Sequence, residues 1–342
     1  MDPKVAIVIL NWNGWRDTIE CLESLRRTEY SSYWIVLVDN GSQDDSLAKI
    51  REYCSGQLRV ESRFFQWDSA NKPITILDYT RKEALAGGGK ESLMSGLDAN
   101  RRLILIRNEK NYGFAEGNNI GIRYALKAFD PDYIMLLNND TVVDPHFLAE
   151  LMTVAGSDDK IGILGPKMYY YDFKGRSDVI LYAGAKIKPW REVVYKHIGA
   201  GELDAGQFSS NADTEWCSGA AMMIRRSLLE NALLNTNYAF GNEDAEYCMN
   251  ATKSGIKVVY VYKSKVWHKV GVSRVKTGQK IRREFSAYSR FISENFSRPV
   301  YFYHLFIFFV SVLPRWVLID VVACRDKEAM RALATEMRKL LA

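Results

Sequence analysis

Cysteine pairs, charge asymmetry and glycine-rich phosphate loops are all missing. The five cysteines, at 21, 54, 217, 248 and 324, make an odd count with no C-x-x-C pair, which argues against a disulfide framework and a zinc ribbon and fits a reducing compartment. The formal charge is only +5 over 342 residues, with Lys and Arg spread along the chain. No basic stripe marks a nucleic-acid partner. The first apolar run, VAIVIL at 5–10, is too short for the hydrophobic region of a signal peptide and lacks a small-residue cleavage site. The expectation is a chain that is not secreted. The turn after that run reads NWNGW rather than G-x-G-x-x-G, which disfavours NAD or FAD. LAGGGKES has Glu91 where a P-loop needs Ser or Thr, and Ala84 where its first glycine belongs, so a triphosphate cradle is excluded as well.

What is present is an α/β pattern in a chain that is 47% hydrophobic, long enough for one large domain or two ordinary ones. Strands are predicted at 5–10, 34–39, 102–108, 133–139 and 257–262. Their continuous apolar runs suit a mostly parallel central sheet flanked by helices. Helices are predicted at 17–27, from about 44, after Gly117 with Asn118 and Asn119 at its start, from Asp144-Pro145 to Gly156, and from 242–244 to Gly255. The stretch 54–102 reads as an inserted loop, too polar and glycine-rich for a core strand. A C-terminal helical region over 273–342 is expected. Within it, 299–324 is aromatic and aliphatic, but Pro314-Arg315 and Asp320 interrupt it, so it is predicted to lie on a membrane surface rather than cross it. A core helix pair is the other reading.

Polar clusters stand at four predicted strand ends: Asn11-Trp12-Asn13, Asp39-Asn40-Gly41-Ser42, the segment from Asn111 to Asn119, and Asn138-Asn139-Asp140. One such cluster is ordinary turn chemistry, but four together mark the ligand crevice at the carboxyl edge of an open α/β sheet.

In order along residues 4–270, LNWNG, VDNGSQDDS, NEKNYGFAEGNNIGI, LLNNDTVVDPHFL, WCSGAAMMIRR, GNEDAEYC and VWHKVG resemble the family-2 glycosyltransferases with the GT-A (Rossmann-like) fold. The likeness is nearest to the rhamnosyltransferase-like branch. It implies a nucleotide-sugar-binding catalytic domain over 1–272 and a donor that is a UDP- or dTDP-sugar. The implied acceptor is a glycan or lipid-linked glycan hydroxyl, used with inversion; the apolar 299–324 segment and its flanking Arg and Lys residues place the expected reaction at the cytoplasmic face of the cell membrane. Asp140 and His268 would hold a divalent metal, Mn2+ or Mg2+, against the diphosphate, a hard oxygen and an imidazole nitrogen suiting manganese somewhat better. Asp244 would be the catalytic base, preferred over Glu243. Asn11, Trp12, Asn13, Asp39, Asn40, Asn111, Gly113, Asn118 and Asn139 would face the donor; Ser218 and Gly219, with Glu243, would line the phosphate and acceptor side. The chain departs from the family pattern at Glu246, where many relatives have aspartate, and at Asn250, where they have arginine. Cys217 and Ser218 lack an evident activating partner, so no covalent nucleophile is expected.

Two other classes remain. A sugar-nucleotide nucleotidyltransferase would want a basic, glycine-rich loop after the first strand. A noncatalytic scaffold on the same architecture would be free to lose Asp140, Asp244 and His268.

Overall fold

The computed structural model describes residues 2–191, 194–238, 241–270 and 287–312. One sheet runs through the molecule. Its parallel part joins β1 (Val5–Asn11), β2 (Tyr33–Asp39), β3 (Thr75–Thr80), β4 (Arg102–Arg107) and β5 (Tyr133–Asn138), in the spatial order β3-β4-β2-β1-β5. Beyond β5 the sheet continues through antiparallel β12 (Ala221–Arg225) to β7 (Ile161–Tyr170) and its parallel neighbour β13 (Lys257–His268), with short β6 (Thr141–Val143), β8 (Ile180–Tyr182) and β11 (Ala212–Asp213) attached. A separate hairpin pairs β9 (Ala185–Ile187) with β10 (Tyr195–His197).

The apolar runs become strands because both sheet faces are covered. Val5 through Ile9 and Ile35 through Val38 are fully buried, the environment that favours β-branched residues. Helix α4 (Gly113–Phe129) lies directly on β1 and β2, and its small residues permit that approach. A Cβ on Gly121 would come within 2.6 Å of Val8 Cγ1, and one on Gly117 within 2.6 Å of Leu10 Cδ1. Helices α1 (Trp15–Leu25), α2 (Ser46–Ser55), α5 (Phe147–Ala155) and α7 (Glu243–Lys253) complete the layers, with short α3 (Arg81–Ala86) and α6 (Arg226–Asn231) at the periphery. Gly255 adopts φ +80 and closes the chain after α7.

Three expectations need correction. The 54–102 stretch is not all loop, because residues 75–80 form the edge strand β3 beside β4. An edge needs less apolar sequence: Leu77 and Tyr79 face inward, while Asp78 pairs outward with Arg51 and Arg107. Helix α4 begins at Gly113, not after Gly117. Asn111 Oδ1 accepts from Gly113 N at 2.8 Å and starts the helix, so Asn118 and Asn119 fall in its interior. His268 ends β13 rather than following a strand that stops at 262; β13 is interrupted by a register shift between Val261 and Lys265.

Toward the C-terminus, residues 287–295 are helical (α8), α9 spans Arg298–Ile307, and Phe308–Val312 continues as a π-helical turn. No helix among the described residues is long and apolar enough to cross a membrane. The remainder of the 273–342 prediction, at 273–286 and 313–342, lies outside the described residues.

Candidate active site

Sheet register brings the polar clusters to one edge. Asn11 is level with Asp39, Asp39 with Arg107, and Leu10 with Asn138, so the segments that follow β1, β2, β4 and β5 leave the sheet side by side.

The first cluster is a closed network. Asn11 Nδ2 donates to Asp39 Oδ1 at 2.8 Å and to Ser42 Oγ at 3.1 Å. Ser42 donates from Oγ to Asp39 Oδ1 at 2.6 Å and from its amide to Oδ2 at 3.1 Å. Asn13 sits at φ 51 and its Oδ1 accepts from Gln43 N at 2.7 Å. Both Asp39 oxygens are thus engaged inside the fold, and Asn11 and Asp39 are almost wholly buried. These residues hold the turns after β1 and β2 together. Trp12 is different: its ring is 47% exposed at the strand end.

Asn40 organises the next segment. Its Oδ1 accepts from Asn108 Nδ2 at 3.0 Å and Tyr112 N at 3.1 Å, while its Nδ2 donates to Asn111 Oδ1 at 3.0 Å and Gly113 O at 3.1 Å. Asn118 is buried in α4, donating to Phe114 O at 3.0 Å, which keeps its amide within the helix. Asn139 Nδ2 donates to Thr18 Oγ1 at 2.9 Å, and Thr18 Oγ1 donates to Asn11 Oδ1 at 2.8 Å. Thr18 therefore ties the β5 turn to the β1 turn. A threonine inside a helical pattern carries no sequence signal for that role, and none was read there.

At the end of β5 the chain turns, and β6 pairs with the last residues of β13, Thr141 standing opposite His268. This places Asp140 Oδ1 3.1 Å from His268 Nε2. Asp140 Oδ1 is buried, with no hydrogen-bond donor aligned on it among the described residues. Burial opposes ionisation of Asp140, but His268 and, at longer range, Lys269 prevail and hold its carboxyl below the usual range. A carboxylate kept ionised and underused beside an imidazole nitrogen fits a divalent cation. No group of three or more His, Cys, Asp or Glu capable of holding a metal occurs among the described residues, so the pair would contribute two ligands and leave the others to diphosphate and water. Lys269 secures the pair: its amide donates to Asp140 O at 2.9 Å, and its ammonium bridges Asp17 and Glu20 of α1, each at 2.5 Å. Within VWHKVG, a lone lysine carries no sequence signal for this role.

The loop before β12 supplies the other side. Asn138 N donates to Ala220 O at 2.9 Å, which joins this loop to the strand carrying Asp140. One residue away, Gly219 N donates to Asp244 Oδ2 at 2.6 Å, and Ala245 N donates to Oδ1 at 2.8 Å. A Cβ on Gly219 would stand 3.3 Å from Asp244 Oδ2 and 3.4 Å from Phe114 Cε1, so glycine lets the loop, α4 and α7 converge. Burial raises the Asp244 carboxyl, while the Gly219 and Ala245 amides and the Trp216 side chain pull it back. Glu243 beside it is buried and pushed up to about 8, first by burial and then by Asp244's charge. Both acids stand in the first turn of α7. Glu246, the departure from the family pattern, accepts from Asn235 Nδ2 at 2.9 Å and Tyr238 OH at 3.1 Å, so α7 is held without the arginine that Asn250 replaces. Ser218 Oγ accepts from Ala220 N at 3.3 Å. Burial pushes the Cys217 thiol up to about 12, which suits a structural cysteine.

A family model described as glycosyltransferase-like family 2 matches residues 93–288, and one described as glycosyl transferase family 2 matches residues 6–72. The low-salt glycan biosynthesis hexosyltransferase Agl10 of Haloferax volcanii is 24% identical over 149 residues, 43% of this chain and 46% of the relative. The chain spans less than half the length of the curated relatives it matches. Among solved structures, the mannosyltransferase PcManGT from Pyrobaculum calidifontis, in complex with GDP-Man and Mn2+, aligns with a TM-score of 0.56 at 14% identity, covering 100% of this chain and 81% of that one. GalNAc-T7 with UDP, GalNAc and Mn2+ aligns with a TM-score of 0.53 at 18% identity, covering 87% and 52%. At these identities the structural likeness establishes the GT-A fold.

Proposed function

The chain belongs to glycosyltransferase family 2, and from that premise we propose that it transfers a sugar, with inversion, from a UDP- or dTDP-sugar to a hydroxyl of a glycan or lipid-linked glycan. The observation that carries this reading is the partly buried Asp140–His268 pair at 3.1 Å, joined through the Asn138–Ala220 and Gly219–Asp244 hydrogen bonds to a carboxylate in the first turn of α7. Asp140 and His268 would hold a divalent cation, which would supply charge neutralisation for a departing diphosphate without proton transfer.

The protein's own groups account for the rest. Asp244 accepts from the Gly219 and Ala245 amides and from the Trp216 side chain, and of the roughly four acceptor positions on its two oxygens one is left to take a proton. The acceptor hydroxyl forms a bond to the anomeric carbon as the bond to diphosphate breaks; its proton passes to Asp244 and the electron pair leaves with the diphosphate. A carboxyl raised by burial suits that transfer near neutral pH. Trp12 offers an exposed ring on which the donor base can rest, while the Asn11–Asp39–Ser42 network fixes the turn beneath it. The expected branch is rhamnosyltransferase-like, with the catalytic unit over residues 1–272 and a place at the cytoplasmic face of the cell membrane.

The nucleotidyltransferase alternative is weakened by the turn after β1, where the Asn13 amide is taken by Ser42 Oγ and the Gln43 amide by Asn13 Oδ1 instead of standing open to a triphosphate. Incubation with UDP- and dTDP-sugars, with and without Mn2+, followed by assay for free nucleoside diphosphate, tests the proposal. Metal-stimulated release is expected. Release of monophosphate or pyrophosphate, or no turnover with any donor, would contradict it.

A further inference from the structure

We propose that α9 and the β9–β10 hairpin together form a face that docks on an anionic bilayer surface. Phe302, Phe306 and Val310 follow one another four residues apart along α9 and its π-helical continuation, and they are 63%, 61% and 60% exposed. Side chains at that spacing share one helix face. The opposite face is anchored, with Val300 and His304 buried.

The hairpin is fastened to that helix. His304 Nε2 donates to Pro189 O at 2.7 Å, His304 Nδ1 lies 3.1 Å from Tyr288 OH, and Val194 N reaches the same hydroxyl at 3.4 Å. Trp190, 59% exposed, meets Tyr303 edge-on with ring centroids 5.6 Å apart. The described hairpin residues carry Lys186, Lys188, Arg191 and Lys196, all exposed, and no acid, with Glu192 the one acid within that stretch of sequence. Arg298 adds a further exposed cation at the start of α9.

Apolar side chains flanked by an amphipathic Trp–Tyr pair and a cluster of cations match the layered chemistry of an anionic lipid surface: hydrocarbon boundary, headgroup region, phosphate. A purely apolar partner would leave the cations unmatched. A nucleic acid would leave the phenylalanines exposed. Docking does not depend on which sugar the site transfers, or on whether it transfers one.

The test is flotation of the full chain with vesicles of phosphatidylcholine alone and of phosphatidylcholine mixed with phosphatidylglycerol, at low and high salt. Binding to the anionic vesicles is expected, weakened by salt. Phe302→Ser/Phe306→Ser and Lys186→Ser/Lys188→Ser should each lower it about tenfold while leaving the melting temperature and oligomeric state unchanged. Failure of the full chain to float with anionic vesicles would overturn the proposal, as would binding by either variant equal to that of the wild type. A self-associated protein that Phe302→Ser/Phe306→Ser converts to monomers, without lipid binding in either form, would show that a second copy covers this face and would overturn it too.

Discussion

Asp244 is where one atom changes most. Asp244→Asn keeps size and shape but removes the proton acceptor, so nucleoside diphosphate release in the presence of acceptor should fall about 10²- to 10⁴-fold, with diphosphate binding retained in a thermal-shift assay. Undiminished release would move the base elsewhere. Glu243 gives a pH signature. Its native carboxyl is raised from an ordinary 4.5 to about 8, so below 4.5 both folded and unfolded chains hold the proton. Between 4.5 and 8 the unfolded chain releases it while the native state retains it. Stability therefore falls as pH rises across that window and the loss is complete above it. Glu243→Gln should flatten the decline in melting temperature from pH 5 to pH 8; an unchanged slope would show that Glu243 is not the group responsible.

At the scale of elements, the clearest prediction concerns how α4 is held against the segment before α7. Asn119 donates from Nδ2 to Leu234 O at 2.8 Å and accepts from Leu234 N at 3.1 Å, all of it buried. Asn119→Ala leaves a backbone amide and a carbonyl without partners, at a cost of about 2–4 kcal/mol, measurable by urea unfolding. A change below about 0.5 kcal/mol would mean that the loop relaxes to water at little cost. The same elements show what was legible in sequence. β1, β2, β4 and β5 were readable because strands buried on both faces are continuous apolar runs. β3 was not, since an edge strand with Asp78 turned outward lacks that run. β7 was not read either: Pro166 and Lys167 interrupt it, and Lys167 is tolerated only because Asp204 pairs with it at 2.9 Å, a contact invisible to local pattern. The start of α4 was misplaced because Asn111, in a position that reads as loop, turns the chain into the helix by accepting from Gly113 N.

At the scale of the whole molecule, the candidate site is assembled from segments far apart in sequence, and sheet register together with the packing of α1 and α7 makes them neighbours. The order of motifs along the chain pointed to the family and to Asp140, His268 and Asp244. It could not show that Thr18 and Lys269 lock the turns around them, because those roles arise only when α1 packs beside the turns after β5 and β13. Nor could it separate Asp39 and Asn118, whose polar groups are satisfied within the fold, from Trp12, whose ring stands open. The central claim is that Asp140 and His268 hold a metal through which the diphosphate is gripped. Calorimetric titration of UDP into the wild-type chain and into Asp140→Ala, with and without Mn2+, tests it most directly. The account predicts Mn2+-dependent binding in the wild type that falls about tenfold or more in Asp140→Ala to its metal-free level; binding that is equally tight in both chains, with or without Mn2+, would contradict it.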